Sequence, residues 1–310
     1  AQTVPWGVDR IGALTASNTG AGVHVYVIDT GIDADHPDLA ANIGNGFAAT
    51  TCKGKCGADW DDDNGHGTHV SGTIGAIDND IAVVGVAPDV TLHAVKVLSK
   101  SGSGSFSGII AGVDWVAGEV AARGAPAVAN MSLGGGGSKS GTCTDSGFTG
   151  SDNLHRAICN AKNIGVVFAV AAGNEGADAA GSVPAAYDDA VVSVSATNSG
   201  DDWPSWSNWG DDAAAWTSQN SAPVAIAAPG VAIPSTWNDG ATNTISGTSM
   251  ASPHVAGALA LWLGGSAQGA GASAFNNGRN ALLSGAESTA SFSNTSGNPH
   301  SEDFLDASGF

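Results

Sequence analysis

Six short apolar runs, halting at a polar residue, a glycine or a proline, constrain the fold more than any other feature of this sequence. Val23-His24-Val25-Tyr26-Val27-Ile28 alternates, is rich in β-branched residues and stops at Asp29-Thr30-Gly31. Thr91 to Leu98, Ala127 to Leu133, Asn163 to Asn174, Ala190 to Ala196 and Pro223 to Ala228 complete the set. Such runs, bounded by turn residues, read as strands buried inside a sheet. Between them lie stretches of helical length: the glycine-rich Gly65 to Gly75, the amphipathic Phe106 to Ala122, and Gly247 to Gly257 running into the apolar Ala258 to Leu263. Strands alternating with helices imply an α/β fold, a doubly wound and mainly parallel sheet with helices on both faces, whose chemistry sits beyond the carboxyl ends of the strands. No internal repeat appears and the Gly/Ser stretches are short, so residues 1–310 are expected to form one domain, with a helix near Ser273 to Leu283 and a polar tail within Gly264 to Phe310.

Asp29, Ser132 and Asn174 all fall at strand ends. A carboxylate at the end of an apolar strand needs a partner, although the following Thr-Gly also suits a turn cap. Ser249 stands where a small-residue turn gives way to an apolar helix, which makes it either an N-cap or a hydroxyl exposed over the positive end of a helix dipole. His66 opens the glycine-rich helix and faces a cleft. With His69 it forms H-x-x-H, which lacks the glutamate of a metalloprotease motif. Together Asp29, His66 and Ser249 supply the parts of an acyl-transfer site. A serine hydroxyl is a weak nucleophile until an imidazole takes its proton, and the imidazole needs a carboxylate to fix its tautomer and stabilise its charged form.

Net charge is −19, which argues against nucleic acid and anionic membranes as partners and favours cations, calcium especially. No run reaches the length of a membrane span. The four cysteines, Cys52, Cys56, Cys143 and Cys159, lack the paired short spacings of a zinc site, so two disulfides in an oxidising, extracellular setting are expected, with the sequence-local pairing favoured. The opening Ala1-Gln2-Thr3-Val4-Pro5 has no signal-like character and reads as a processed, mature start.

The chain closely resembles the subtilisin-like serine proteases. The resemblance rests on Val27-Ile28-Asp29-Thr30-Gly31-Ile32, Asn64-Gly65-His66-Gly67-Thr68-His69-Val70 and Gly247-Thr248-Ser249-Met250-Ala251-Ser252-Pro253, in the family's order of acid, base and nucleophile. It extends to about Leu263, with extra residues around Gly44 to Asp63, Ala117 to Ala125, Gly136 to Asn153 and Asn198 to Ser221. It implies a secreted, monomeric serine endopeptidase that acts on polypeptides and meets its own propeptide and protein inhibitors. Asn174 would be the side-chain donor of the oxyanion hole, beside the Ser249 N–H. Substrate would bind as an added strand between Gly102-Ser103-Gly104 and Ser132-Leu133-Gly134. Ser132, Leu133, Gly134 and Gly135 with Ala171, Ala172, Gly173, Asn174 and Glu175 would line a roomy, mostly apolar P1 pocket. Glu175 at its rim would add a weak preference for basic residues, and Phe106 with Leu133 would line an apolar P4 pocket.

The same resemblance implies structural calcium, held by side chains of Gln2, Asp38 and Asn79 and by carbonyls of Ile77, Ile81 and Val83. A weaker cation site is implied around Ala185, Tyr187 and Ala190. The acidic insertion Asp61, Asp62 and Asp63 reads either as an extra calcium site or as a solvated loop.

Two other functions compete. A lipase or esterase of the α/β-hydrolase type would want G-x-S-x-G and the order Ser, Asp, His, whereas Ser249 follows both Asp29 and His66. A non-catalytic calcium-binding protein on the same fold has no need of Asp29, His66, Ser249 and Asn174 together.

Overall fold

The computed structural model describes residues 1–210 and 223–310. Of the extra residues at Asn198 to Ser221, those from 211 onward lie outside the described residues. The main sheet is formed by β1 (His24–Asp29), β2 (Phe47–Ala48), β3 (Thr91–Lys96), β4 (Ala127–Met131), β5 (Val166–Ala171), β6 (Val192–Thr197) and β7 (Ile226–Pro229). All pair in parallel, in the spatial order β7-β6-β5-β4-β1-β3-β2. From β1 the order runs one way through β3 to β2 and the other way from β4 to β7. That reversal opens a crevice between the carboxyl ends of β1 and β4, where an open parallel sheet takes its ligands.

Alternate residues of each strand enter different cores. Val25, Val27, Val128, Val167 and Ala169 face one side, and Tyr26, Ile28, Ala129, Phe168 and Val170 the other. The first side is covered by α1 (His66–Gly75) and α4 (Thr248–Gly265), the second by α2 (Phe106–Arg123) and α3 (Asn153–Ile164). Of the 18 residues of α4, 14 are buried, so this helix is sheathed on nearly every side and its sequence is apolar all round. α5 (Ala272–Gly285) follows it, adding Ala274, Phe275 and Leu282 to the first core.

The expected strands and helices are present, with ends shifted by a few residues. Asn163 and Ile164, expected to open a strand, instead end α3. The Cys52–Cys56 and Cys143–Cys159 disulfides form as expected, the second tying the hairpin of Thr142–Thr144 and Gly147–Thr149 to α3. The polar tail has a definite seat. Ala227 donates to the Asp303 carbonyl and Leu305 to the Ala227 carbonyl, both within 2.9 Å, so the tail extends the sheet at β7 and covers its edge. Arg10 braces that seat, lying 4.4 Å over the Phe304 ring and pairing with Asp201 and Glu287 at 2.9 Å. A further hairpin, β8 (Ile233–Trp237) with β9 (Ala241–Ile245), packs β8 against α1.

Candidate active site

Asp29 is the last residue of β1 and fully buried. Its Oδ1 accepts the Thr30 N–H at 2.7 Å and lies 2.8 Å from Nδ1 of His66. His66 reaches this position because its neighbours are glycines. Gly65 has φ +111°, and a Cβ there would fall 2.3 Å from the Trp237 ring; a Cβ on Gly67 would fall 2.1 Å from the Gly31 carbonyl oxygen. The His66 side chain is 27% exposed and lines a cleft, so it meets a buried carboxylate on one edge and solvent on the other. Burial pulls its pKa down, but the charge and hydrogen bond of Asp29, with the charge of Asp62 added, outweigh burial and hold it above the ordinary histidine value.

Asp62, named from the sequence only as a metal ligand, joins the two strips of chain that carry Asp29 and His66. Its Oδ1 accepts the Thr30 hydroxyl (2.9 Å) and the N–H groups of Asn64 (2.9 Å) and Gly65 (3.0 Å). Its Oδ2 accepts both the N–H (2.9 Å) and the hydroxyl (2.7 Å) of Thr68. The Thr30 hydroxyl in turn accepts the Gly67 N–H at 2.9 Å. Asp63 is engaged elsewhere: it pairs with the buried Lys96 at 2.6 Å and accepts the Lys53 N–H at 2.7 Å. Asp61 accepts the N–H groups of Gly57 (2.7 Å) and Asp62 (3.1 Å). The expectation of an extra calcium site on Asp61, Asp62 and Asp63 therefore does not fit, because the three carboxylates serve separate protein donors. Among the described residues no group of three or more His, Cys, Asp or Glu side chains is arranged to hold a metal.

Ser249 is the second residue of α4, half-buried, and its hydroxyl donates to the Ser132 carbonyl at 3.3 Å. Its own N–H belongs to the first helical turn, which has no intrahelical acceptor. The turn is pinned to the end of β4 by a buried relay. Ser252 Oγ donates to Asn130 Oδ1 (2.6 Å), Asn130 Nδ2 to Ser132 Oγ (2.9 Å), and Ser132 Oγ to the Ser249 carbonyl (2.8 Å).

Asn174 comes from the turn after β5. Its Oδ1 accepts the N–H (2.8 Å) and the hydroxyl (3.0 Å) of Thr248. A backbone N–H can only donate, so the atom facing it is the oxygen, and the amide NH2 is left for the cleft beside Ser249. The loop is held from behind by the fully buried Asn208, which no local sequence pattern singles out. Its Oδ1 accepts from Glu175 N and Ala177 N at 3.0 Å, and its Nδ2 donates to the Ala172 carbonyl at 3.0 Å. Glu175 Oε2 accepts the Asn174 N–H at 2.9 Å and Asn208 Nδ2 at 2.8 Å, which turns the rim carboxylate toward its own loop.

Two clefts meet at these residues. One, of about 360 Å³, is lined by Leu133 to Gly136, Ala171 to Glu175, Ser182, Val183, Ala185, Thr248 and Ser249. The other, of about 580 Å³, is lined by His66, Gly102, Ser103, Gly104, Phe106, Ser132, Leu133, Gly134 and Gly135, with Leu98, Ile109, Leu154, Val183 and Pro184. The residues assigned to substrate from the sequence thus lie around the candidate triad. Leu98, Leu154, Val183 and Pro184 were missed, since nothing local marks them. Ile109 was legible, one helical turn after Phe106.

The residues implied for calcium also come together. Gln2 Nε2 donates to the carbonyls of Ile77 (2.8 Å) and Val83 (3.2 Å), and the fully buried Asp38 accepts from Asn79 Nδ2 (2.8 Å) and Val83 N (3.0 Å). Asn79 Oδ1 accepts the Ile81 N–H at 2.7 Å. Burial raises the Asp38 pKa against the pull of these donors. Carbonyls and a buried carboxylate around one amide form a donor set that fits calcium, given the amide turned to offer its oxygen.

Residues 20–298 match the Subtilase family. The chain is 45% identical over 268 residues to the extracellular serine proteinase of Thermus sp. (strain Rt41A), an alignment covering 83% of this chain and 56% of that protein. It is 44% identical over 264 residues to subtilisin Savinase of Lederbergia lenta, with 84% of each covered. Against alkaline serine exoprotease A of Vibrio alginolyticus it spans 43% of that protein's length, so it corresponds to about half of some curated relatives it matches. The crystal structure of a cold adapted subtilisin-like serine proteinase superposes with TM-score 0.76 at 38% identity, covering 97% of both chains. From the parallel sheet, the Asp29–His66 pair at its carboxyl edge and these matches, it follows that the chain belongs to the subtilase family.

Proposed function

We propose that this chain is a secreted serine endopeptidase that cleaves polypeptides through an acyl-enzyme. The observation that carries the reading is the 2.8 Å contact of His66 Nδ1 with the buried Asp29, in a cleft that shares Leu133, Gly134, Gly135 and Val183 with the cleft lined by Ser249. Asp29 keeps the His66 proton on Nδ1 and leaves Nε2 to act as base. Rotation of the Ser249 side chain away from the Ser132 carbonyl brings its hydroxyl to Nε2. His66 takes the proton as Oγ bonds to the scissile carbonyl carbon, and the carbonyl oxygen becomes an oxyanion between the Ser249 N–H and Asn174 Nδ2. His66 then gives that proton to the leaving amine as the C–N bond breaks. Water repeats the sequence on the ester, releasing the acid and restoring Ser249.

Apolar P1 and P4 residues are favoured. The walls of the first cleft include Leu133, Gly134, Gly135, Ala171, Ala172 and Val183, and those of the second include Leu98, Phe106, Ile109 and Leu133. Calcium would be held by Gln2, Asp38, Ile77, Asn79, Ile81 and Val83, where it would fasten the N-terminus to the loop after α1 and take no part in the reaction. Secretion is favoured by the two disulfides and by relatives named extracellular proteinase and exoprotease. No described helix is long and apolar enough to cross a membrane. A propeptide and protein inhibitors are the partners this site would meet, and the working unit would be a monomer.

The test is hydrolysis of an unstructured protein by the wild type, by protein treated with a serine-directed phosphonyl reagent, and by Ser249→Ala. Activity is expected only in the untreated wild type. Activity persisting in Ser249→Ala overturns the mechanism.

A further inference from the structure

The family resemblance implies a weaker cation site around Ala185, Tyr187 and Ala190, and the structure does not fit a metal there. The Tyr187 carbonyl accepts the N–H groups of Ala190 (2.8 Å) and Val191 (3.0 Å), so its lone pairs are committed to the turn. The carbonyl between these positions, that of Asp188, accepts Nη1 of Arg279 at 2.6 Å. Arg279 projects from α5 and is 2% exposed, so its guanidinium brings a full charge into the packed interior against this loop.

A buried guanidinium needs negative charge around it. The loop supplies Asp188 and Asp189, both of which act electrostatically on Arg279. Those acids are fixed from the outer side: Lys139 lies 2.5 Å from Asp188 Oδ1 and 3.1 Å from Asp189 Oδ2, and His155 Nε2 lies 2.7 Å from Asp189 Oδ1. Burial lowers the Arg279 pKa to about 10, which still leaves it charged at neutral pH. The loop continues directly from Ser182, Val183 and Pro184. Val183 lines both clefts, Pro184 the larger, and Ser182 and Ala185 the smaller.

We propose that Arg279 is the resident cation of the 185–190 loop, standing in place of a metal ion, and that through this loop it acts as a positioning residue for the wall shared by the two substrate clefts. Arg279 never meets substrate. Its effect on KM rests on the peptidase reading, whereas its replacement of a metal does not.

The experiment compares wild type, Arg279→Met and Arg279→Lys. Tm is read on serine-blocked protein from about 5 to about 100 mM calcium chloride, with ionic strength held by tetramethylammonium chloride, so that weak binding to the folded state appears as a rising midpoint. Wild type and Arg279→Lys are expected to be flat across this range, and Arg279→Met to start lower and climb as calcium enters the vacated loop. With a peptide substrate carrying apolar P1 and P4 residues, Arg279→Met is expected to raise KM about three- to thirtyfold with kcat nearly unchanged, a size typical of residues coupled to a site they do not touch. Arg279→Lys is expected to restore most of the loss. A wild type whose Tm climbs across the range, an Arg279→Met whose Tm stays flat, or an Arg279→Met with wild-type KM overturns the proposal. Should Arg279→Met fail to fold, the flat wild type and lysine curves decide the metal question, and a lysine variant that climbs with calcium overturns it. The melting arm needs no turnover, so it stands even if the peptidase reading fails.

Discussion

Pro253 stands four residues after Ser249 inside α4, so the Ser249 carbonyl has no helical N–H to accept and takes the Ser132 hydroxyl at 2.8 Å instead. The proline frees a carbonyl of the nucleophile's own residue, and the end of β4 captures it. The helix that presents Ser249 is thereby registered against the strand that lines the cleft.

That pairing gives a double-mutant prediction. Ser132→Ala leaves a carbonyl near the cleft floor without its donor and is expected to lower stability by about 1–3 kcal/mol. In a Pro253→Ala background the new N–H reaches the same carbonyl, and the loss from Ser132→Ala is expected to shrink by about 1 kcal/mol or more. Urea unfolding of serine-blocked proteins measures the cycle, and strict additivity counts against the account.

The pH profile follows from the Asp29 and His66 pair. His66 must be neutral to accept the Ser249 proton, and its pKa is held above 6.5. kcat/KM is therefore expected to rise with pH through a midpoint above 6.5. Asp62→Asn removes one of the charges that raise this pKa and is expected to move the midpoint down, toward the ordinary histidine value. Asp29→Asn is expected to cut kcat by about 10⁴, through loss of the tautomer in which Nε2 is the base. Stopped assays from pH 5 to pH 10 would read all three, and an unmoved midpoint in Asp62→Asn removes its electrostatic role.

Asn174 should act on the transition state alone. Its Oδ1 is tied to Thr248, so only Nδ2 is available to an oxyanion. Asn174→Ala is expected to lower kcat by about 10²–10³, the range known from a subtilisin that loses this type of donor, with KM changed little. Asn174→Asp, which offers no donor and adds a charge, is expected to be at least as impaired. A loss confined to KM would assign Asn174 to binding.

Much of this site is legible in the sequence because its parts lie at places where local rules apply. Asp29, Ser132 and Asn174 stand just where apolar strands end, and Ser249 stands where an apolar helix begins. His66 is flanked by glycines that only close packing explains. What escapes is held by partners far along the chain. Asn208 and Arg279 reach into loops 33 and 91 residues away, and neither carries a local pattern. α3 was legible by the helical rule, since its buried apolar residues Leu154, Ala157, Ile158 and Ala161 recur at three- and four-residue spacing, but it was not singled out. The tail escapes because its pairing with β7 consists of backbone bonds, which leave no mark on side-chain sequence.

Calcium removal should separate two kinds of stability. Among the described residues the hydrogen-bond donors to the buried Asp38 are the neutral Asn79 amide and Val83 N–H, and a bound divalent ion would add positive charge. Chelation of serine-blocked wild type is expected to lower Tm by several degrees and to raise susceptibility to cleavage in the 77–83 loop. Asp38→Asn is expected to lower Tm with calcium present and to abolish most of the response to chelator. Equal chelator responses in wild type and Asp38→Asn would move the ion elsewhere.

Acid should unfold this protein through histidines that take no part in catalysis. His69 Nε2 lies 2.9 Å from the Ile233 carbonyl and His254 Nδ1 2.8 Å from the Met250 carbonyl, so each ring is held neutral with its proton on that nitrogen. Among the described residues the opposite nitrogen of His254, Nε2, is buried without a partner, so a second proton there would bring a charge and an unsatisfied N–H together. Burial accordingly drives both pKa values down to about 4. A base whose folded pKa lies below its unfolded value of about 6.5 contributes stability that is fully present above pH 6.5 and is lost as pH falls toward 4. At pH 5 each ring would have given up about 2 kcal/mol relative to pH 8. His254→Leu removes one such ring. Although the substitution lowers stability at pH 8 by disturbing the packing against Gly7, the difference between pH 8 and pH 5 is expected to shrink by about 2 kcal/mol. Urea unfolding of serine-blocked wild type and variant at the two pH values measures it, and an unchanged difference would place the acid sensitivity in other groups.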